Sequence, residues 1–349
     1  MPPLTMQAAV TRGRHQIELE RLPIPEPGPG EVRVRVRACG VCGTDLHLFG
    51  SGFFAPGTTP GHEMVGEVDA LGDGVEGPKP GDLVAVEPLH SCGTCRTCRQ
   101  GLDAICREIQ VHGIHRPGGF AEYVTVPARR LFPVPPDLDP ALAALTEPMA
   151  VVVHGLRRGN LAEGQRVLVL GAGSVGLLAV VAARALGAGD VWLTARHPHQ
   201  AKLGEHLGAT RVLSEAEAST VELDRLGKEA PIDLVIETVG GSADTLNAAA
   251  AAVCPGGTIS VVGVFMGRVT LDALPLFMKE STLAWSNCYT HPHEGHTGAD
   301  FETAVEIVAS RRDVLAEMNT HGLPLEQVER AFAVASDKKS GAIKVTVLP

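Results

Sequence analysis

The sequence predicts an α/β chain in two parts: a β-rich part folded as a partly closed barrel or curled sheet, and a doubly wound parallel sheet. Three observations carry this. At 349 residues the chain is too long for one compact core. Early on, short Val-rich runs ("EVRVRVRACGV", "MVGEVDALG", "DLVAVEP") are separated by Gly/Pro clusters such as "PIPEPGPG". From near residue 155, apolar strands alternate with helical stretches, the pattern of β-α-β units on a parallel sheet.

The elements follow in that order. "EVRVRVRACGV" alternates with period two. "RVLVLG" is an apolar strand, "GLLAVVAARALGA" a helix, and "DVWLTA", "QAKLGEHLGA", "IDLVIETVG", "ADTLNAAAAAV" and "GTISVVGVF" continue the alternation. "ADFETAVEIVASRR" and "PLEQVERAFAVASDKKSGAIKVTVLP" add helix, helix and a last strand. The charge-free run from Val167 to Ala183 is Gly-rich and shorter than the roughly 20 residues of a membrane span, so it reads as strand, turn and helix. Apolar residues make up 44% of the chain and charged ones 20%, enough for substantial cores without long disorder. A net charge of -10 argues against a nucleic-acid surface, which needs clustered Lys and Arg, and favours small-molecule partners. The N-terminus lacks a signal peptide's apolar stretch, so the expected location is the cytoplasm, with no membrane partner.

Cys92, Cys95, Cys98 and Cys106 crowd one stretch, "CGTCRTCRQGLDAIC". Disulfides, an iron-sulfur cluster and a four-thiolate zinc compete for them. A reducing compartment disfavours disulfides. Bacterial ferredoxins also begin C-x2-C-x2-C, but their last cysteine follows sooner and precedes Pro, whereas Cys106 precedes Arg107. A lobe near 90–108 with little apolar material gains folding energy by closing around a metal, so structural zinc is favoured.

Upstream stand "CGVCGTDLHLFG" and "PGHEMVGEV". Cys42, His62 and Glu63 are ligand types that suit zinc with one position left open for chemistry. Cys39 makes a C-x2-C with Cys42, a spacing shared with redox dithiols, but no thioredoxin-like helix start follows. In "RVLVLGAGSVGLLAVV", Gly171 allows a tight turn, Gly173 lets a pyrophosphate approach the backbone, and Gly176 lets the helix pack on the strand; Ser174 and Val175 lie between. About 20 residues later an NAD site carries an acid. Here Ala195 stands in that place and Arg196 follows, a pairing that suits a 2'-phosphate and favours NADP over NAD. His197, His199 and Lys202 add positive field to the same loop.

"CGTDLH", "GHEMVGEV", the cysteine lobe, "EPMAV" and "GAGSVG", in this order, resemble the zinc-dependent medium-chain alcohol dehydrogenases, particularly the polyol and threonine dehydrogenase branch, over nearly the whole chain. The resemblance implies a GroES-like catalytic domain at 1–155 and 290–349 and a Rossmann domain at 156–289. It implies catalytic zinc on Cys42 and His62, with Glu147 or Glu63 as third ligand, Asp45 behind His62, and a proton relay through Thr44 and His47. Lys344 matches a basic group near the pyrophosphate in relatives, or is a surface lysine. The activity implied is NADP-dependent oxidation of a secondary alcohol, diol or polyol, or reduction of the ketone, by a homodimer or homotetramer with one catalytic and one structural zinc. The alternatives are an NAD-dependent threonine dehydrogenase-like enzyme and a metal-independent enone or quinone reductase. Phe53, Phe54 and Trp285 are candidate pocket walls, or simply core.

Overall fold

The computed structural model describes residues 4–290, 300–337 and 339–349. It divides into two compact units, Met1–Glu147 with Thr290–Pro349, and Pro148–Tyr289. The division falls inside the helix Thr146–Arg158, ahead of the expected 155/156 boundary. Hydropathy marks the first parallel strand rather than the helix that leads to it.

In the second unit, six parallel strands run in spatial order Arg211–Leu213, Asp190–Thr194, Arg166–Leu170, Ile232–Glu237, Val253–Val261 and Thr282–Trp285. The order reverses at Arg166–Leu170, and the crevice at such a switch point is where open α/β sheets bind ligands. Val167 to Leu170 are all buried, as in a strand covered on both faces. The charge-free run continues into the buried helix Ser174–Ala185. Among the described residues no helix is long and apolar enough to cross a membrane.

In the first unit, a seven-stranded sheet runs Asn319–Pro324, Lys344–Leu348, Glu31–Gly40, Glu63–Leu71, Leu83–Val86 and Leu131–Pro133, with Tyr123–Pro127 also paired to Glu31–Gly40. The chain's last strand lies against one of its first, Thr346 opposite Gly40, while Glu63 faces Gly40 from the other side. This register brings Lys344 and Glu63 together from opposite ends of the sequence. Val32, Val34, Val36, Phe120, Phe332, Val345 and Val347 belong to the core beneath.

The cysteine stretch leaves this sheet through a minimal hairpin, Leu89–His90 with Gln110–Val111. His112 follows it, buried, with Nδ1 at 2.9 Å from the Pro117 carbonyl and Nε2 without a partner. The contact assigns the proton to Nδ1 as donor, so a second proton would charge an unpaired buried nitrogen. Burial, with a smaller push from Arg116, outweighs the Pro117 contact and lowers the pKa to about 4. The unfolded chain, titrating near its ordinary value of roughly 6.5, takes up the proton first as pH falls. His112 therefore contributes on the order of 3 kcal/mol that is fully present above roughly pH 6.5 and lost on approach to pH 4. His112→Asn removes the titration and keeps a donor for Pro117. The stability gap between wild type and variant, read by urea unfolding, should narrow from pH 7.5 to pH 5; a constant gap would refute this assignment.

Candidate metal centre and nucleotide turn

After Gly40 the chain turns into the helix Gly43–Ser51, with Cys42 as its N-cap. The Thr44 N–H donates to Cys42 Sγ at 3.5 Å, and the Cys42 N–H donates to Asp45 Oδ2 at 3.0 Å, a capping box in which thiol and carboxylate replace the usual hydroxyl and Glu. Asp45 is fully buried, and its other oxygen lies 3.5 Å from His62 Nδ1. His62 is aimed by the turn before it: Gly61 has φ +95°, and a Cβ at Gly118 would overlap the Gly61 carbonyl. Ligand atoms of Cys42, His62 and Glu63 all lie within 4.8 Å of one another. Burial by itself lowers the His62 pKa, but Asp45 and Cys42 outweigh it and hold it well above the ordinary value. The site favours positive charge at this ring.

Glu63 is ion-paired with Lys344, and both are buried, Lys344 at 2% exposure. Burial pulls the Lys344 pKa down, and Glu63 and Cys42 more than restore it. The surface-lysine reading is thus excluded: the ammonium is committed to Glu63. Gly40 makes the pair possible, since a Cβ there would overlap the Glu63 carboxylate and crowd Lys344 Cε. One thiol, one imidazole and the acids Asp45, Glu63 and Glu147 surround the single ammonium of Lys344, so acidic groups outnumber the cation, and this donor set fits a zinc.

Glu147 is buried in the first turn of Thr146–Arg158 and lies outside the Cys42, His62 and Glu63 group, although Lys344 feels its charge. Thr44 and His47 stand three residues apart on one helix, so they share a face; Thr44 is half-buried and His47 exposed. Cys39 is fully buried in the core, and burial, then Asp45 and Glu63, push its thiol well up. Cys39 and Cys42 are both free thiols, and a helix does begin directly after Cys42, where the sequence showed no helix-start pattern.

The four lobe sulfurs converge. Cys92 and Cys98 are 3.9 Å apart, Cys95 and Cys98 3.4 Å, Cys95 and Cys106 3.9 Å, and Cys92 and Cys106 3.5 Å. A tetrahedral zinc with sulfurs at about 2.3 Å sets them about 3.8 Å apart. Disulfides are absent, and a multi-iron cluster would hold its thiolates further apart. The lobe is anchored by a residue the sequence did not single out. Arg130, 0% exposed, pairs with Glu87 and Asp103 and donates to Ser91 Oγ at 2.9 Å, while Ser91 donates to Asp103 at 2.9 Å. Ser91 precedes Cys92, and Asp103 lies just before Cys106.

In the second unit, Gly171 has φ +100°, and its N–H donates to Thr194 Oγ1 at 2.8 Å. A Cβ at Gly176 would overlap the Gly171 carbonyl, so the helix sits directly on the turn. Gly173 is the N-cap, with no side-chain cap and nothing within 4 Å of a built Cβ. Open space faces the free N–H groups of a helix N-terminus, as a pyrophosphate requires; Ser174 and Val175 form its first turn. Ala195 is buried, and Arg196 is exposed and meets Glu215. Thr194 and Glu215 carry no motif that would have flagged them. Of the candidate pocket walls, Phe54 is buried core, while Phe53 and Trp285 are exposed.

Residues 28–136 match the alcohol dehydrogenase GroES-like domain family, and residues 174–310 match the zinc-binding dehydrogenase family. The chain is 32% identical to sorbitol dehydrogenase of Bacillus subtilis (strain 168), across 99% of this chain and 98% of that one. It is 34% identical to L-threonine 3-dehydrogenase of Pyrococcus horikoshii, across 88% of each. Among solved structures, a zinc-binding dehydrogenase from Sinorhizobium meliloti 1021 bound to NADP superposes with a TM-score of 0.88 at 31% identity, covering 99% of this chain and 100% of that one.

Removing Arg130 would take the one fully buried guanidinium away from Glu87 and Asp103 and leave Asp103 with the half-exposed Arg129, at 3.8 Å, as its nearest arginine. Breaking a buried pair in this way costs about 3–5 kcal/mol. Arg130→Ala should lower the unfolding midpoint and speed metal loss to a chelating indicator; unchanged metal retention would show that the network does not hold the lobe.

Proposed function

The chain belongs to the zinc-dependent medium-chain alcohol dehydrogenases, in the branch of polyol and threonine dehydrogenases, and from this premise we propose an NADP-dependent oxidoreductase of secondary alcohols, diols or polyols and their ketones. The grouping of Cys42, His62 and Glu63 around the buried Asp45 carries the reading. Cys42 and His62 hold the catalytic zinc, and Glu63 and Glu147 are the two carboxylates within the same buried charge cluster that can complete it. A second, structural zinc sits on Cys92, Cys95, Cys98 and Cys106.

When bound, a zinc on Cys42 and His62 would supply Lewis acidity toward a substrate hydroxyl, and a nicotinamide would supply the hydride acceptor. The protein's residues do the remaining work. Asp45, facing Nδ1, keeps the proton of His62 on that nitrogen and leaves Nε2 as the ligand. The Thr44 hydroxyl accepts the substrate proton while donating its own, and the exposed His47 passes the charge to water. Gly171, Gly173 and Gly176 would seat a pyrophosphate on the helix Ser174–Ala185, and the exposed Arg196 would pair with a 2'-phosphate. Retention of Cys42, His62, Thr44 and His47 argues against a metal-independent reductase, which has no use for an activated hydroxyl. An NAD-dependent threonine dehydrogenase-like enzyme is the second reading, favoured by the likeness to L-threonine 3-dehydrogenases and by the carboxylate on Arg196.

A homo-oligomer in the cytoplasm is part of the proposal. Thr282–Trp285 is one of the two edge strands of the parallel sheet among the described residues, and the helix just before it in sequence, Ala273–Met278, exposes Leu274, Phe277 and Met278. A sheet edge and an exposed apolar patch each suit contact with a second copy. Phe277→Asp should then reduce the mass seen by light scattering; an unchanged mass removes this patch from the interface.

Cys42→Ser should cut turnover by more than about 100-fold while leaving nucleotide binding largely intact, and a chelator should silence the wild type. Absorbance of reduced nicotinamide, with NADP or NAD and a panel of alcohols, polyols and threonine, checks both points. Full activity in the variant sinks the metal-site reading, and clear preference for NAD sinks the NADP reading.

A further inference from the structure

Arg196 leaves the parallel sheet just past the strand Asp190–Thr194. The neighbouring strand Arg211–Leu213 ends beside it, since the Ala195 N–H donates to the Leu213 carbonyl at 2.9 Å. Two residues beyond Leu213 stands Glu215, and its Oε1 lies 3.0 Å from Arg196 Nε. The two side chains are 70% and 68% exposed. The next acid in the turn, Glu217, is engaged elsewhere: it accepts from Ser214 N and Oγ at 2.9 and 2.8 Å and lies 3.6 Å from Arg211. The sheet therefore delivers one carboxylate onto the guanidinium assigned to the 2'-phosphate.

We propose that Glu215 is a specificity-determining residue, a resident counter-anion on Arg196 that a 2'-phosphate must displace. The inference rests on the reading of Arg196 given above. A phosphate near Arg196 meets repulsion from Glu215 while that carboxylate stays in place, whereas a nucleotide with a free ribose 2'-hydroxyl leaves the pair undisturbed. An exposed ion pair is weak, so the carboxylate narrows the preference for the phosphorylated cofactor without abolishing it. Glu215 thus sets how far the enzyme discriminates between NADP and NAD, although the position usually read for this choice is at Ala195.

The test is equilibrium binding by calorimetry, on the metal-replete protein, of adenosine 2',5'-bisphosphate and 5'-AMP. Four chains are compared: wild type, Glu215→Gln, Arg196→Ala and the double variant. Glu215→Gln should tighten the bisphosphate about two- to fivefold, leave 5'-AMP within about twofold, and have no effect in the Arg196→Ala background. The gain should shrink at high salt. An unchanged bisphosphate Kd in Glu215→Gln overturns the proposal. So does severalfold weaker 5'-AMP binding, which would make Glu215 an acceptor for the ribose hydroxyls. If Arg196→Ala alone leaves the bisphosphate Kd unchanged, the reading of Arg196 fails and the proposal falls with it. If Arg196→Ala weakens the bisphosphate and Glu215→Gln does nothing, only the proposal fails.

Discussion

One buried carboxylate, Asp45, ties together the two segments that carry Cys42 and His62, the proposed metal ligands. Through Oδ2 it closes the N-terminus of the Cys42 helix, and through Oδ1 it faces His62, which arrives from a different strand. Helix capping and ligand orientation are thus one interaction. The thiol that caps the helix is also the expected ligand, so the start of this helix cannot shift without moving the metal site. A buried cluster of acids is costly unless cations balance it, and burying Lys344 against Glu63 supplies part of that compensation. A metal on Cys42 and His62 would supply more.

The same logic holds in the cysteine lobe. Its hairpin is two residues per strand, too short to hold register by itself. Its four sulfurs converge on one point where a metal ion could fix the interior, and Arg130 ties it to the sheet through Glu87 on one side and Ser91 and Asp103 on the other. Neither anchor could replace the other: an ion on the four sulfurs would set the shape of the lobe, and the arginine sets where the lobe sits.

Legibility in the sequence followed the range of the interaction. The cysteine spacing, the glycine turn and the Cys42 to His47 segment are local, and their chemistry can be read within fifteen residues, the length of the stretch from Cys92 to Cys106. The parallel strands were legible because burial on both faces leaves uninterrupted Val and Leu. Lys344 was misjudged as a possible surface residue because its partner, Glu63, becomes a neighbour only when the last strand joins the sheet at Gly40. Arg130 was invisible for the same reason, with its acids on separate elements. The two candidates for third ligand illustrate the limit: Glu63 adjoins His62 in sequence and in space, while Glu147 enters the charge cluster only through the fold.

Two arginine-carboxylate contacts in this chain mark how far environment decides function. Arg130 with Glu87 and Asp103 has no access to water, so exchange of partners would strand a charge in a low dielectric, and the contact can only be structural. Arg196 with Glu215 is largely exposed, so either partner can let go at little cost. The first arginine serves by never releasing its acids. The second is useful to a nucleotide site only if it does release its acid, and the weakness of an exposed pair makes it suited to recognition.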